Sequence, residues 1–407
     1  MVDRQNDRPL WGVLTMFRPR VAFGLAGTQP AAENRLRLFN IGTDGSYTQN
    51  VGGQGDLVST RGQCTPILFL NGATVPGVCV NSLGNTRLRP ERSSELEGGF
   101  DVTLWNGRFT TTYTRYDKVR NDAIVSVPVA PSIFGGQFNV AENIGEVRNT
   151  GTELTLNATV LENRALSWAI GANLSNDNNV LVHLNPGQSS NYALGLVPGY
   201  PLFGAWIAPI RTFADVNHDG IIGPKEFVIG DSLVFQGQPN PKYELSLTTD
   251  LHLLSGRLGI HATFHYQDGL TQNNVGALNS GSFLLVGNNP TTPLSYQAAV
   301  VAATCITDKG GIGCGKLTRY GFIQTVNTFR FNDLSLNYEL PRLIASWFRA
   351  PRMTMALQGS NLALRTNYRG KDPNVNAFST VSAVDQTADV GQIPEPKTWW
   401  LKLTLGN

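Results

Sequence analysis

Charge is scarce in this chain. Of its 407 residues only 15% are Asp, Glu, Lys or Arg, and they sum to a formal +2. A balance so close to neutral gives no reason to invoke nucleic acid as a partner. Long apolar runs are missing as well: nothing approaches 18 consecutive apolar residues, so membrane-spanning helices are excluded. A membrane-spanning β-barrel is not, because lumen-facing polar positions dilute its hydropathy. Catalytic signatures are also absent. There is no G-x-S-x-G, H-E-x-x-H, phosphate-cradling loop or CxxC, and the chain reads as a non-enzyme. The start, MVDRQNDRPLWGVLTMFRPR, has neither an apolar h-region nor a small-residue cleavage site, so if the protein is exported Met1 is read as an internal or mis-assigned start or an imposed boundary. What the chain has in quantity is glycine, 43 residues, which suits many turns.

The clearest local signal lies at 88–120. Phe100, Val102 and Leu104 alternate with Asp101 and Thr103, and Phe109, Thr111 and Tyr113 repeat the pattern beyond Asn106-Gly107. Period-two alternation marks a strand with one apolar face, and Asn-Gly predicts a two-residue type I′ hairpin turn. Trp105 stands at that turn, where a membrane hairpin places an interfacial aromatic. Alternation along the whole chain predicts ten strands, at roughly 18–27, 94–104, 107–118, 146–161, 165–176, 243–253, 257–267, 325–340, 352–362 and 397–405.

The connections between them alternate in length. Asn106-Gly107, Glu162–Arg164, Ser255-Gly256 and Arg342–Pro351 are short; 28–93, 119–145, 177–242, 268–324 and 363–396 are long. Short periplasmic turns and long extracellular loops are the asymmetry of an outer-membrane barrel, and a soluble sandwich has no reason to sort its loops so. The predicted fold is therefore all-β, an antiparallel up-and-down transmembrane barrel. Ten strands are about half of a barrel of about 22 strands, so this chain alone is expected to be a curved, open sheet with two exposed edges.

Three sets of residues are candidates for chemistry. Asp215, Asn217, Asp219, Gly220, Ile221 and Glu226 fit D-x-N-x-D-G-x5-E, a spacing that can converge hard oxygens, including the Ile221 carbonyl, on Ca2+. The same residues also suit an Asx-rich surface turn without metal. Four cysteines form two close pairs, Cys64/Cys79 and Cys305/Cys314, read as loop-closing disulfides against free thiols. Asp250 and His261 are expected to face each other across a Ser255-Gly256 turn, with His252 and His265 on the same polar face. A lumen-facing polar pair is the favoured reading there over catalysis. The aromatics Tyr192, Tyr200, Trp206 and Tyr296 fall in long loops, where they would either stack on sugars or pack the loops themselves.

A set of motifs in fixed order adds to this reading. LRPERSSELEGGFD (88–101) with TTTYTRYDK (110–118), NIGEVRNTGTELTL (143–156), DVNHDGII (215–222), PNPKYELSLTTDL (239–251), FRFNDLSLNYELP (329–341) and GSNLALRTNYRGKDPNVN (359–376) follow one another over nearly the whole chain. Together they resemble the barrel of the SusC/RagA-like TonB-dependent outer-membrane transporters. The resemblance implies that residues 1–407 are the C-terminal part of such a barrel, with the plug domain and signal peptide absent from this sequence. It further implies nutrient import of an oligosaccharide or peptide through the bacterial outer membrane and its lipid. The implied partners are a SusD-like surface lipoprotein and TonB, the latter acting through the plug. Within the motifs, Arg89, Pro90, Glu91 and Glu95 are read as ordering a strand entry. Tyr368, Arg369, Gly370, Lys371, Asp372 and Pro373 are read as architecture. The family usually ends on an aromatic residue, whereas this chain ends TWWLKLTLGN. The rival class is an exported calcium-binding or structural β protein without transport activity. A plug-encoding frame upstream and a SusD-like gene downstream would favour transport.

Overall fold

In the computed structural model the described residues are 13–42, 67–68, 74–75, 77–129, 138–223, 225–274, 290–304, 322–375, 388–389, 391 and 393–406. Ten long strands form one antiparallel sheet: β1 (Leu14–Thr28), β2 (Glu91–Leu104), β3 (Phe109–Asn121), β4 (Gly145–Glu162), β5 (Ser167–Leu184), β6 (Tyr243–Leu253), β7 (Leu258–Asn274), β8 (Ile323–Glu339), β9 (Arg352–Thr366) and β10 (Thr398–Gly406). Each pairs with its neighbours in sequence, from β1 at one edge to β10 at the other, and the sheet does not close. Short hairpins of their own decorate the long connections, among them Ile124–Val129 with Phe138–Asn143 and Ala205–Ile207 with Val234–Gly237. No described helix is long and apolar enough to cross a membrane.

The alternation read from the sequence becomes two continuous faces. Following the ladder partners, Pro19, Phe100, Tyr113, Leu154, Leu174, Leu245, Tyr266 and Phe329 lie in line across eight strands. One residue along, the line reads Arg18, Asp101, Thr112, Thr155, Asn173, Ser246, His265 and Arg330. A one-residue slip would exchange the faces of a whole strand, so the pattern fixes the register. Aromatic pairs add to the apolar side: Phe100 stacks on Tyr113 at 5.2 Å and Phe264 on Phe331 at 4.7 Å. Such pairs contribute about 0.5–1.5 kcal/mol beyond their buried area.

Two expectations need correction. The 105–108 connection is not a two-residue type I′ turn. Pairing ends at Leu104↔Phe109, and Trp105, Asn106 and Gly107 all have positive φ (49°, 55°, 94°) before Arg108 returns to the right-handed region. Leu254, Ser255 and Gly256 repeat this conformation (56°, 58°, 86°) between Leu253 and Leu258. Three successive left-handed residues reverse the chain in four residues, and Gly at the third position carries the widest φ without a Cβ penalty. The register survives because opening one further pair leaves every other pair in place.

The second correction concerns strand length. β5 runs on to Leu184 and β7 to Asn274, well past 176 and 267. Asp177, Asn178 and Asn179 read as loop because Asp and Asn are poor strand formers. In the sheet they pair with Gly151, Thr150 and Asn149 of β4, which holds them extended.

Candidate functional site

The polar face of the sheet is a connected hydrogen-bond surface. Arg18 donates from Nε and Nη2 to Asp101 Oδ2 (2.9 and 2.6 Å), and the Thr112 hydroxyl donates to Asp101 Oδ1 (3.1 Å). Lys118 reaches Glu95 at 2.9 Å, the Tyr116 hydroxyl donates to Asp177 at 2.9 Å, and Gln267 donates to Glu244 at 2.6 Å. Asp250 and His261 meet as expected, Oδ1 to Nδ1 at 2.7 Å, and Thr263 Oγ1 lies 3.2 Å from His261 Nε2. The Asp-His-Thr set lies mid-sheet, on β6 and on β7 where β7 pairs with both β6 and β8. The arrangement orients an imidazole on the polar face of the sheet.

Above the sheet the long connections build a cap. Ala123, Ile144, Val147, Leu181 and Leu196 form a buried cluster, with Val125, Val127, Leu194, Leu202 and Phe203 packed against it. The Arg89–Glu91 segment ties β2 to this cap. Arg89 Nη2 donates to Asp122 (2.5 Å), the Asn143 amide donates to the Arg89 carbonyl (2.9 Å), and Glu91 Oε1 accepts from Ile124 N (2.5 Å). Glu95 lies inside β2 and pairs with Lys118.

Three of the four loop aromatics converge. Trp206 sits between Tyr192 (5.0 Å, edge-on) and Tyr200 (4.7 Å, edge-on), and Phe235 of the facing hairpin strand closes the group at 5.1 Å from Tyr200 and 5.6 Å from Trp206. Trp206 is 7% exposed and its Nε1 is buried without an acceptor, while Tyr192 and Tyr200 keep 40% and 39% of their surface. Tyr296 stands apart, packed on Phe322 at 6.4 Å, and burial raises its phenol pKa. Phe235 carried no signal in the sequence, since a lone Phe between Val234 and Gln236 is an ordinary strand residue.

The Tyr368–Pro373 segment is architectural. Arg330 of β8 donates to both carboxylate oxygens of Asp372 at 2.6 and 3.0 Å, and the two side chains are only 11% and 8% exposed. The Tyr368 hydroxyl donates to Asp389 Oδ2 at 2.9 Å, and burial followed by the Asp389 charge pushes the Tyr368 pKa up.

The Asp215–Glu226 residues fold onto their own backbone. Asp215 accepts from Asp219 N and Gly220 N, and Asp219 accepts from Ile221 N and the Asn217 amide. Asn217 Oδ1 accepts from Asp219 N. Glu226 accepts from Val216 N, Asn217 N and Gly223 N. Among the described residues no three His, Cys, Asp or Glu side chains stand close enough to hold a metal ion. From the helix Leu294–Thr304, the fully buried Gln297 accepts from Ile222 N (2.8 Å) and donates to the Gly220 carbonyl (3.1 Å). Nothing in the sequence pointed to Gln297. Cys64, Cys305 and Cys314 lie outside the described residues. Cys79 is placed only as backbone, in the strand Gly77–Ser82.

Comparison with known proteins agrees with this geometry. The family model for the TonB dependent receptor-like β-barrel matches residues 38–385. TonB-dependent receptor P3 of Formosa agariphila is 23% identical over 378 residues, covering 81% of this chain and 36% of the relative. TonB-dependent receptor SusC of Bacteroides thetaiotaomicron is 28% identical over 110 residues, 26% of this chain and 11% of SusC. Among solved structures, the RagAB peptide transporter aligns with a TM-score of 0.66 at 18% identity, over 96% of this chain and 41% of that one. The chain thus spans about a third of the length of the first of these curated relatives.

Proposed function

The chain belongs to the TonB-dependent receptor β-barrel family of the outer membrane, and from that premise we propose that its sheet is part of the wall of an energy-coupled nutrient importer. The observation that carries the proposal is the two-faced sheet. An unbroken apolar line suits lipid, and a polar line one residue away suits a water-filled lumen. The cargo is an oligosaccharide or peptide. The exposed rings of Tyr192 and Tyr200, backed by the buried Trp206, offer stacking surface on the cap side. A SusD-like surface lipoprotein and TonB, acting through a plug, complete the machine.

The test is uptake in the host cell. Deleting the coding sequence is expected to abolish accumulation of a labelled oligosaccharide or peptide pool. Restoring it should recover uptake, and a protonophore should abolish uptake again. Undiminished uptake after deletion would leave the structural-protein reading standing.

Two further assignments are proposed on sequence spacing. One is Ca2+ at Asp215, Asn217, Asp219, Ile221 and Glu226, which requires Glu226 to turn from the amides it now accepts. The other is the disulfide pairs Cys64–Cys79 and Cys305–Cys314, which non-reducing peptide mapping tests by finding those pairs, crossed pairs or free thiols.

A further inference from the structure

The four short connections share a composition that the long ones do not. They are 105–108 (WNGR), 163–166 (NRAL), 254–257 (LSGR) and 340–351 (LPRLIASWFRAP). None contains Asp or Glu, and together they carry Arg108, Arg164, Arg257, Arg342 and Arg349. All five arginines are exposed, and none has an ion-pair partner among the described residues. Beside them stand exposed apolar side chains: Trp105 at 53%, Leu254 at 58%, Leu343 at 70%, Trp347 at 74% and Phe348 at 56%.

The fourth connection differs from the rest. Where the others reverse in four residues, this one holds a helix, Arg342–Trp347, packed against β9 with Ala345 buried and Met353 of the apolar row nearly so. The helix therefore turns one side to the sheet. It leaves Leu343 and Trp347, four residues apart on its other side, uncovered and continuous with Phe348. Three large apolar groups in water are unfavourable unless something apolar covers them.

We propose that this rim, and the Arg342–Arg349 helix above all, is a docking surface for anionic phospholipid. Leu343, Trp347 and Phe348 enter the boundary between headgroups and acyl chains, and Arg342 and Arg349 bind headgroup phosphates. The occupant is fixed by two features. The patch continues the apolar row of Tyr338, Met355 and Leu403, which the membrane already covers, and its uncompensated positive charge complements phosphate. The four-residue turns provide the same pairing in miniature, Trp105 with Arg108 and Leu254 with Arg257. The proposal rests on the reading of the sheet as a membrane wall.

The experiment uses the intact receptor reconstituted in phosphatidylcholine vesicles. They contain a fixed small fraction of either brominated phosphatidylglycerol or brominated phosphatidylcholine. The Trp347 signal is the difference between the native receptor and its Trp347→Phe variant. Quenching of that signal by brominated phosphatidylglycerol is expected to exceed quenching by brominated phosphatidylcholine at least twofold, and to become equal in the Arg342→Gln, Arg349→Gln double variant. Equal quenching in the native receptor overturns the proposal. So does a Trp347 signal that bromine leaves untouched while the remaining tryptophans are quenched, which would mark a protein partner or open water. If no tryptophan is quenched by either lipid, it is the membrane-wall reading that falls.

Discussion

The two ends of the sheet solve the same problem in opposite ways. At one end three of the four connections reverse in four residues, two of them (105–108 and 254–257) through three left-handed residues, and they satisfy their backbone with one or two local hydrogen bonds, such as Arg108 N to the Trp105 carbonyl. At the other end it travels for tens of residues. Those excursions need their own hairpins, a helix, a buried apolar cluster and a buried ion pair before they hold a shape. A tight turn fixes register and leaves no room for specificity. A long loop can hold Tyr192 and Tyr200 at its surface only because Trp206 and Phe235 pack behind them. Rigidity is local at the first end and cooperative at the second.

That contrast can be broken most forcefully at Arg330. Replacing it with Ala strands the Asp372 carboxylate, 8% exposed, and breaking such a buried pair costs about 3–5 kcal/mol. Urea unfolding of the receptor followed by cap-specific proteolysis should show the 367–375 segment opening first, with the strand signal in circular dichroism preserved. Trp206→Ala should come next, at about 3 kcal/mol for a buried large-to-small change. Trp206→Phe sharpens the point: it keeps an aromatic ring but loses the buried N–H and part of the indole volume, so the cost should be smaller, about 1–2 kcal/mol, while uptake weakens as Tyr192 and Tyr200 lose their backing. Unchanged uptake would reduce the cluster to packing.

Smaller effects follow. Tyr368→Phe leaves the buried Asp389 oxygen without its donor, a loss of about 1–3 kcal/mol confined to the cap. At the rim, Gly256→Ala forces a Cβ into φ +86°, costing about 1–2 kcal/mol, whereas Ser255→Asn, which copies the Asn106 turn, should be neutral within about 0.5 kcal/mol. The Asp215–Glu226 loop yields the smallest expected change. Isothermal titration of the intact receptor with calcium should show millimolar-range binding that an Asp219→Ala, Glu226→Ala variant lacks. Identical traces would make the loop an amide-closed turn.

Much of the sheet was legible because a two-residue period is visible in any single strand. Tyr243, Leu245, Leu247, Leu251 and Leu253 alternate with polar residues almost without a break, and β6 runs over the predicted 243–253. The Asp250–His261 contact followed from register alone. Turn conformation was not legible, since Asn-Gly signals positive φ without saying that Trp105 adopts it too. The strand ends at Asn176–Asn179 were hidden because ladder pairing overrode local preference. In the cap, Tyr192, Tyr200 and Trp206 were visible as aromatics in loops. Their convergence depends on a hairpin that brings Phe235 from some thirty residues further along, and no local pattern encodes that meeting.

Gln297 joins segments that belong to different loops. One buried side chain, bonded to Ile222 N and the Gly220 carbonyl, leashes the helix Leu294–Thr304 to the turn at 215–226. Losing that one amide would strip a hydrogen bond from Ile222 N and from the Gly220 carbonyl at once, so a single substitution at Gln297 would be felt in the turn and in the helix together.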